Sequence, residues 1–241
     1  MQPMIPGVAD RLHVQPFKTQ LLKWIGNKQR FAHEIASYFP TDHETYIEPF
    51  LGSGAILATL APTKAVASDA FPALMEIWNA LSESPETLKG WYRDRRSLIS
   101  GDHKIEVYEQ IKADYNRSPN GADLVFLSRS CYGGVVRFRK EDGYMSTPCG
   151  VHTPISAESF DRRVDLWADR TSGTRFVTAD FEAVLDDAGP KDMIYCDPPY
   201  KGKKKYVAVG EFDTPKFWDW ASKMARKNTV LVSEADLPTV F

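Results

Sequence analysis

The sequence predicts an α/β fold, a parallel sheet with helices packed against it, interrupted by an inserted block of helices and a β-hairpin. Three observations predict it. Short β-prone runs recur at 45–48, 64–68, 175–178, 193–196 and 229–232. The first two each pass through a turn into a helix-forming stretch, the strand-to-helix repeat of parallel sheets. Between the second and third lies a long charged block that reads as helical until a hairpin pattern near its end.

After a Pro-containing leader to about residue 17, apolar spacing predicts a helix from about Arg30 to Tyr38, stopped by Pro40. Residues 45–48 then read as a strand, Pro49 to Gly54 as a glycine turn, and Ala55 to Leu60 as a helix. The next strand, 64–68, ends in Asp69, and Pro72 suits the first turn of a helix that reaches about Leu81. From about Ser82 to Ala122 the pattern is helical and charged. Residues 137–148 read as a hairpin with Asp142-Gly143 at its turn. Strands at 175–178 and 193–196 follow, then a helix from about Pro215 to Arg226 and a last strand at 229–232. This division predicts a catalytic and ligand-binding domain formed by 18–81 and 160–241, with 82–159 as the insertion.

A chain of 241 residues, 43% of them hydrophobic, can bury one sizeable core. No stretch approaches the roughly 20 apolar residues that cross a bilayer, and the first fifteen lack the apolar centre of a secretory signal. A cytoplasmic location and no membrane contact are expected. Cys131, Cys149 and Cys196 show no CxxC pairing and no nearby histidine spacing, so they read as reduced, buried thiols and no metal is expected. The net charge of −2 gives no reason to invoke nucleic acid. Residues 89–140, however, hold eleven Lys or Arg against six Asp or Glu, a local net charge of +5. Alone, such a segment is equally a solvated helical face.

The strongest chemical signal is Asp197-Pro198-Pro199-Tyr200, placed after the apolar run 193–196, where open α/β sheets bind ligands. Two prolines stiffen the loop and remove two amide donors, leaving carbonyl oxygens free to accept. The Asp197 carboxylate and the Pro198 carbonyl together match the two hydrogens of an exocyclic amine. Tyr200 offers a ring on which an extruded base can stack. The alternative is a stiff turn with a capping acid.

Glu48-Pro49-Phe50-Leu51-Gly52-Ser53-Gly54 forms a second signal, in which the glycines let a ligand approach the backbone at a helix start. Asp69, seventeen residues beyond Gly52, sits where an acid binds ribose hydroxyls. The third glycine of the dinucleotide fingerprint is missing, and with Glu48 ahead of the turn this favours S-adenosylmethionine over NAD. Lys23-Trp24-Ile25-Gly26-Asn27-Lys28 is a third cluster, a polar and aromatic group before the first helix that by itself reads first as a capped helix start. Asp180-Phe181 is a fourth: the acid can accept from an adenine amine while the ring covers its face, or it is an ordinary helix cap.

In this order the pieces resemble the Dam-like, D12-class (alpha-group) adenine-N6 DNA methyltransferases, over roughly residues 20–236. In that family a Lys-Trp-x-Gly-x-Lys segment precedes Glu-Pro-Phe-x-Gly-x-Gly, a helical target-recognition insertion and Asp-Pro-Pro-Tyr. The resemblance implies a Rossmann-like S-adenosylmethionine-dependent methyltransferase sheet and methyl transfer to the N6 amine of adenine in double-stranded DNA, as in restriction-modification systems. It implies that Lys23, Trp24 and Lys28 help hold S-adenosylmethionine, that Phe50, Gly52 and Gly54 line its methionine end, and that Asp69 binds its ribose. Asp197, Pro198, Pro199 and Tyr200 become the catalytic face. Arg129, Arg137, Arg139 and Lys140, with Lys201 and Lys203, become DNA contacts. The sequence departs from the family at Ser128 and Gly133, where Asn is usual. It also stops at Phe241, shortly after the strand 229–232, where relatives usually continue into a terminal hairpin. The expectation is a truncated chain, or a sheet edge met by a partner or a second copy. Alternative readings are a DNA-binding relic without turnover and a methyltransferase acting on RNA or on a protein glutamine, although Asp197 stands where glutamine modifiers prefer Asn.

Overall fold

The structure, a computed structural model, describes residues 12–184, 188–199 and 212–234. Five parallel strands form one sheet in the order β3-β2-β1-β4-β5, with β1 at Tyr46–Glu48, β2 at Ala65–Asp69, β3 at Thr174–Thr178, β4 at Met193–Cys196 and β5 at Thr229–Val232. All five strands expected from the sequence form, within a residue or so of their predicted bounds. Central β1 and β4 are buried throughout, whereas edge strands β3 and β5 are partly exposed, as position in a parallel sheet requires.

Strand alternation divides the interior into two cores. Tyr46 and Tyr195 face one side, with Trp78, Trp167 and the helices of the insertion. Their neighbours Ile47 and Ile194 face the other, with Cys196, Phe181, Phe217 and Trp220. The second core is covered by α8 (Thr214–Met224), which starts at Asp213, whose carboxylate accepts the Lys216 amide at 2.9 Å, and at Pro215 in its first turn.

On the first side, α1 (Ala32–Ala36) and α2 (Ala55–Leu60) pack together, and α3 (Pro72–Glu83) follows β2. The first helix is shorter than the stretch from Arg30 to Tyr38 that apolar spacing predicts. The charged block resolves into α4 (Pro85–Ser97), α5 (Lys104–Arg117) and α6 (Gly121–Ser130). Breaks come at Ser84-Pro85, at the turn around Gly101, which has φ +53°, and at Asn120. The Asn120 side chain caps α6 by accepting the Asp123 amide at 2.8 Å.

Two differences from the sequence reading have clear causes. The expected hairpin over 137–148 turns at Asp142-Gly143, with Gly143 at φ +68°, but pairs only through the bridges Phe138↔Met145 and Cys131↔Cys149 rather than as two regular strands. The Thr147 hydroxyl takes the Arg137 amide at 2.8 Å, so a side chain replaces a ladder bond. A helix that the reading did not anticipate, α7 (Ala157–Arg170), precedes β3 and packs along α4. Its buried stripe, Phe160, Val164 and Trp167, is narrow and otherwise surrounded by charge. The Ser156 hydroxyl starts it by accepting the Ser159 amide at 3.2 Å. Among the described residues no helix is long and apolar enough to cross a membrane.

Candidate active site

Strand order reverses between β1 and β4, because the chain builds β1, β2 and β3 outward in one direction and then returns to the other side of β1. The carboxyl ends of β1 and β4 therefore part around a crevice, the place where such sheets take ligands. Glu48 to Gly54 emerges on one side of it and Asp197-Pro198-Pro199 on the other.

The glycine turn has a specific backbone reason. Gly52 and Gly54 sit at φ +48° and +63°, in the left-handed region that side chains avoid. Gly54 also packs against indole rings: an added Cβ would lie 2.9 Å from Trp78 and 3.2 Å from Trp167. Trp24 covers Gly52, and the Trp78 indole N–H donates to the Gly52 carbonyl at 3.2 Å. The Gly52 amide donates in turn to Asp69 at 3.0 Å, while the other Asp69 oxygen accepts the Phe71 amide at 3.0 Å. Asp69 thereby ties the end of β2 to the turn after β1. Burial raises its pKa, and the amides of Gly52, Phe71 and Ala70 pull it back.

Three titratable groups meet at the crevice. The Lys28 ammonium contacts the Asp197 carboxylate at 2.5 Å, across 169 residues of sequence. Glu48 is buried beside them, and its carboxylate accepts the Tyr46 hydroxyl at 2.9 Å. Burial raises the Glu48 pKa to about 8; the Tyr46 hydrogen bond opposes this, the nearby Asp197 charge reinforces it, and the Leu57 amide and Lys28 oppose it in turn. A carboxyl at this position holds its proton near neutral pH unless a further cation arrives. Pro198 is buried.

Other residues singled out by the sequence lie as follows. Trp24 is buried against Phe71, ring centroids 5.9 Å apart. Phe50 stacks on Phe181 at 5.6 Å, within the aromatic cluster beneath α8. Asp180 is exposed, and its carboxylate accepts the amide of the next residue, Phe181, at 2.7 Å at the start of a turn. Lys23 is exposed as a residue, but partial burial of its ammonium, with the charges of Arg129 and Arg163, lowers its pKa. Arg137 and Lys140 project from the hairpin into solvent, while Arg139 pairs with Asp142 and stacks over Tyr144 at 4.2 Å. Tyr200, Lys201 and Lys203 lie outside the described residues.

Arg129 lies where the sequence did not suggest. Its guanidinium turns inward and donates to the carbonyls of Gln20 and Leu21 at 3.1 and 2.9 Å, and burial lowers its pKa to about 10. Arg163 donates to the Gln20 carbonyl at 3.1 Å and the Trp167 indole to Thr19 at 3.2 Å. Together they strap the segment ahead of Lys23 onto α6 and α7. The sequence reading missed Trp78, Trp167 and Arg163; their signal was an aromatic or arginine on the inner stripe of a helix, and for the last two that helix was itself unforeseen.

Comparison with known proteins adds an independent finding. Residues 24–236 match the family described as D12 class N6 adenine-specific DNA methyltransferase. The chain is similar to the Retron Ec67 DNA adenine methylase of Escherichia coli, 29% identical over 228 residues that cover 90% of this chain and 77% of that protein. It is similar to the type II methyltransferase M.MjaIII of Methanocaldococcus jannaschii, 27% identical over 86% of this chain and 76% of the relative. A DNA adenine methylase of Vibrio cholerae is 25% identical over 74% of this chain, which spans 64% of the length of that relative.

Proposed function

The chain belongs to the D12 class N6 adenine-specific DNA methyltransferases, and from that premise we propose that it methylates the N6 amine of adenine in duplex DNA with S-adenosylmethionine as donor. The single observation that carries this reading is the Lys28–Asp197 ion pair, set beside buried Glu48 at the switch point of the sheet. The carboxylate that would polarise the amine is thus held at the mouth of the crevice that would hold the donor.

The side chains at the crevice fit S-adenosylmethionine, which presents a sulfonium, an ammonium and ribose hydroxyls. Buried Glu48 offers an anion to a cationic group, and Asp69 keeps lone pairs beyond the backbone amides of Gly52, Phe71 and Ala70. Gly52 holds the left-handed backbone, φ +48°, that the turn needs, with the Trp24 ring against it. Phe50 supplies an apolar, half-buried wall. When bound, this cofactor supplies an electrophilic methyl group.

What the chain's residues do follows from their atoms. An Asp197 oxygen and the Pro198 carbonyl accept the two amine hydrogens, which localises the nitrogen lone pair toward the donor. Pro198 and Pro199 carry no N–H, so the loop offers the amine no competing donor. Lys28 pairs with the Asp197 carboxylate and holds it in place before the base arrives. Tyr200 stacks on the extruded base. Positioning and polarisation supply the acceleration, and no protein nucleophile is involved.

Residues 82–159 serve as the target-recognition insertion in this reading, with 18–81 and 160–241 as the catalytic body in a cytoplasmic setting. Exposed Arg137 and Lys140 are the hairpin's phosphate or base contacts, with Lys201 and Lys203 beside the extruded nucleotide. Arg129 is assigned to the strap rather than to DNA.

The experiment is methyl-label transfer from S-adenosylmethionine to duplex DNA, RNA and protein, repeated with Asp197→Ala. Label is expected on adenine N6 in DNA alone, with a loss of about 10²-fold or more in the variant, the scale for removing a preorganised polar group. Label confined to RNA or protein, or an undiminished variant, refutes the proposal. Binding of DNA without label from any preparation identifies a relic.

A further inference from the structure

Cys131 and Cys149 lie directly opposite each other in an antiparallel bridge at the base of the hairpin loop. The Tyr132 amide donates to the Pro148 carbonyl at 2.8 Å, and the Gly150 amide to the Ser130 carbonyl at 2.8 Å. These bonds flank the cysteine pair rather than joining it, so it occupies a non-hydrogen-bonded position. Cα atoms there stand about 4.5 Å apart and the side chains leave the same face. That separation falls inside the window of about 4.4–6.8 Å that a disulfide spans without moving the backbone. Both residues are free thiols. Their side chains now turn to different acceptors, Cys131 to the Ser128 carbonyl at 3.6 Å and Cys149 to Gly150 at 3.5 Å. A rotation about each side chain brings the sulfurs together.

We propose that Cys131 and Cys149 form a cross-strand dithiol that a low-molecular-weight disulfide, such as oxidised glutathione, converts to an intramolecular bond tying together the two ends of segment 132–148. Half-buried Cys149 reacts first: its thiolate attacks one glutathione sulfur, and a glutathione thiolate leaves. The Cys131 thiolate then attacks the Cys149 sulfur and expels the second glutathione. Two protein thiols lose two electrons and two protons, and the oxidant becomes two glutathione thiols. Burial raises both thiol pKa values, that of Cys131 to about 11, while Lys104 and Lys112 partly offset the rise at Cys149. The order of attack and a rate that climbs with pH both follow. Cys196 is buried in β4 with its pKa well above the ordinary thiol value, so it stays out of the exchange.

The geometry is independent of the methyltransferase reading, and so is its test. The folded protein is treated with excess oxidised glutathione at pH 8 and digested with trypsin without reductant, then mapped by mass. A linked pair of peptides containing Cys131 and Cys149 is expected, lighter by two hydrogens, with cleavage at Arg137, Arg139 or Lys140 leaving the ends joined until reductant is added. Cys131→Ser is expected to retain a glutathione adduct on Cys149, and Cys149→Ser to leave Cys131 unmodified. An adduct on Cys149 that persists in the wild type, bonds only between molecules, or a 131–149 link that forms only after unfolding would overturn the proposal.

Discussion

A glutamate that folding buries beside an aspartate costs stability whenever it is ionised. Glu48 has an ordinary pKa near 4.5 and about 8 in the folded chain, so between these values the native state binds more protons than the unfolded one. Stability from this group is therefore full below about pH 4.5, falls as pH rises, and levels above about 8. Glu48→Gln removes the titration while keeping the shape. The difference in Tm between the variant and the wild type is expected to grow in the variant's favour from pH 5.5 to 8.5, read by thermal denaturation at several pH values. A flat difference would mean that Glu48 is ionised throughout. The sequence offered Glu48 as a candidate from its place before the glycine turn. Strand alternation already puts Tyr46 on the same face as Glu48, but the sequence held no sign of Asp197, which arrives from 149 positions later.

At the scale of elements, the turn between β1 and α2 shows two separable reasons for glycine. Gly54 needs a left-handed backbone and also lies where a methyl group would press on two indoles. Gly133 has nearly the same φ, +64°, with nothing within 4 Å of an added Cβ. Gly133→Ala should thus cost only the backbone preference, about 1–2 kcal/mol. Gly54→Ala adds overpacking of about 1–3 kcal/mol on top. Chemical denaturation of the two variants measures the gap, and equal losses would show that the tryptophans yield freely. The glycine spacing was legible in the sequence as a close backbone approach. That the approach is to Trp78 and Trp167 was not, because it depends on how α3 and α7 pack over the turn.

For the molecule as a whole, the net charge of −2 conceals a basic block whose cations divide into two jobs. Lys89 is buried against Glu86 and Asp165, Arg95 pairs with Asp123 at 2.7 Å, and Arg129 straps the leader. Arg137 and Lys140 remain exposed at the hairpin. Replacing both with Gln should weaken DNA binding and lower the slope of log affinity against log salt by about 1–2, leaving Tm unchanged. Arg129→Gln should do the reverse, losing Tm through two orphaned carbonyls while the salt slope holds. Anisotropy with labelled duplex over a salt series, alongside thermal melts, distinguishes the two, and a salt slope that responds to Arg129 instead would return it to the DNA face.

The sequence by itself determined the strands, the glycine turn, the acid–Pro–Pro loop and the family, because each is written in a few adjacent residues whose local chemistry is restrictive. Alternation along a strand, a forced positive φ and a missing amide hydrogen are properties that a short segment carries wherever it goes. Tertiary structure alone decided that Lys28 meets Asp197, that Arg129 points inward, that Cys131 faces Cys149 and that a seventh helix closes the first core. Those outcomes depend on which distant segments the parallel sheet brings to the same end, and on which charges the packing then deprives of water.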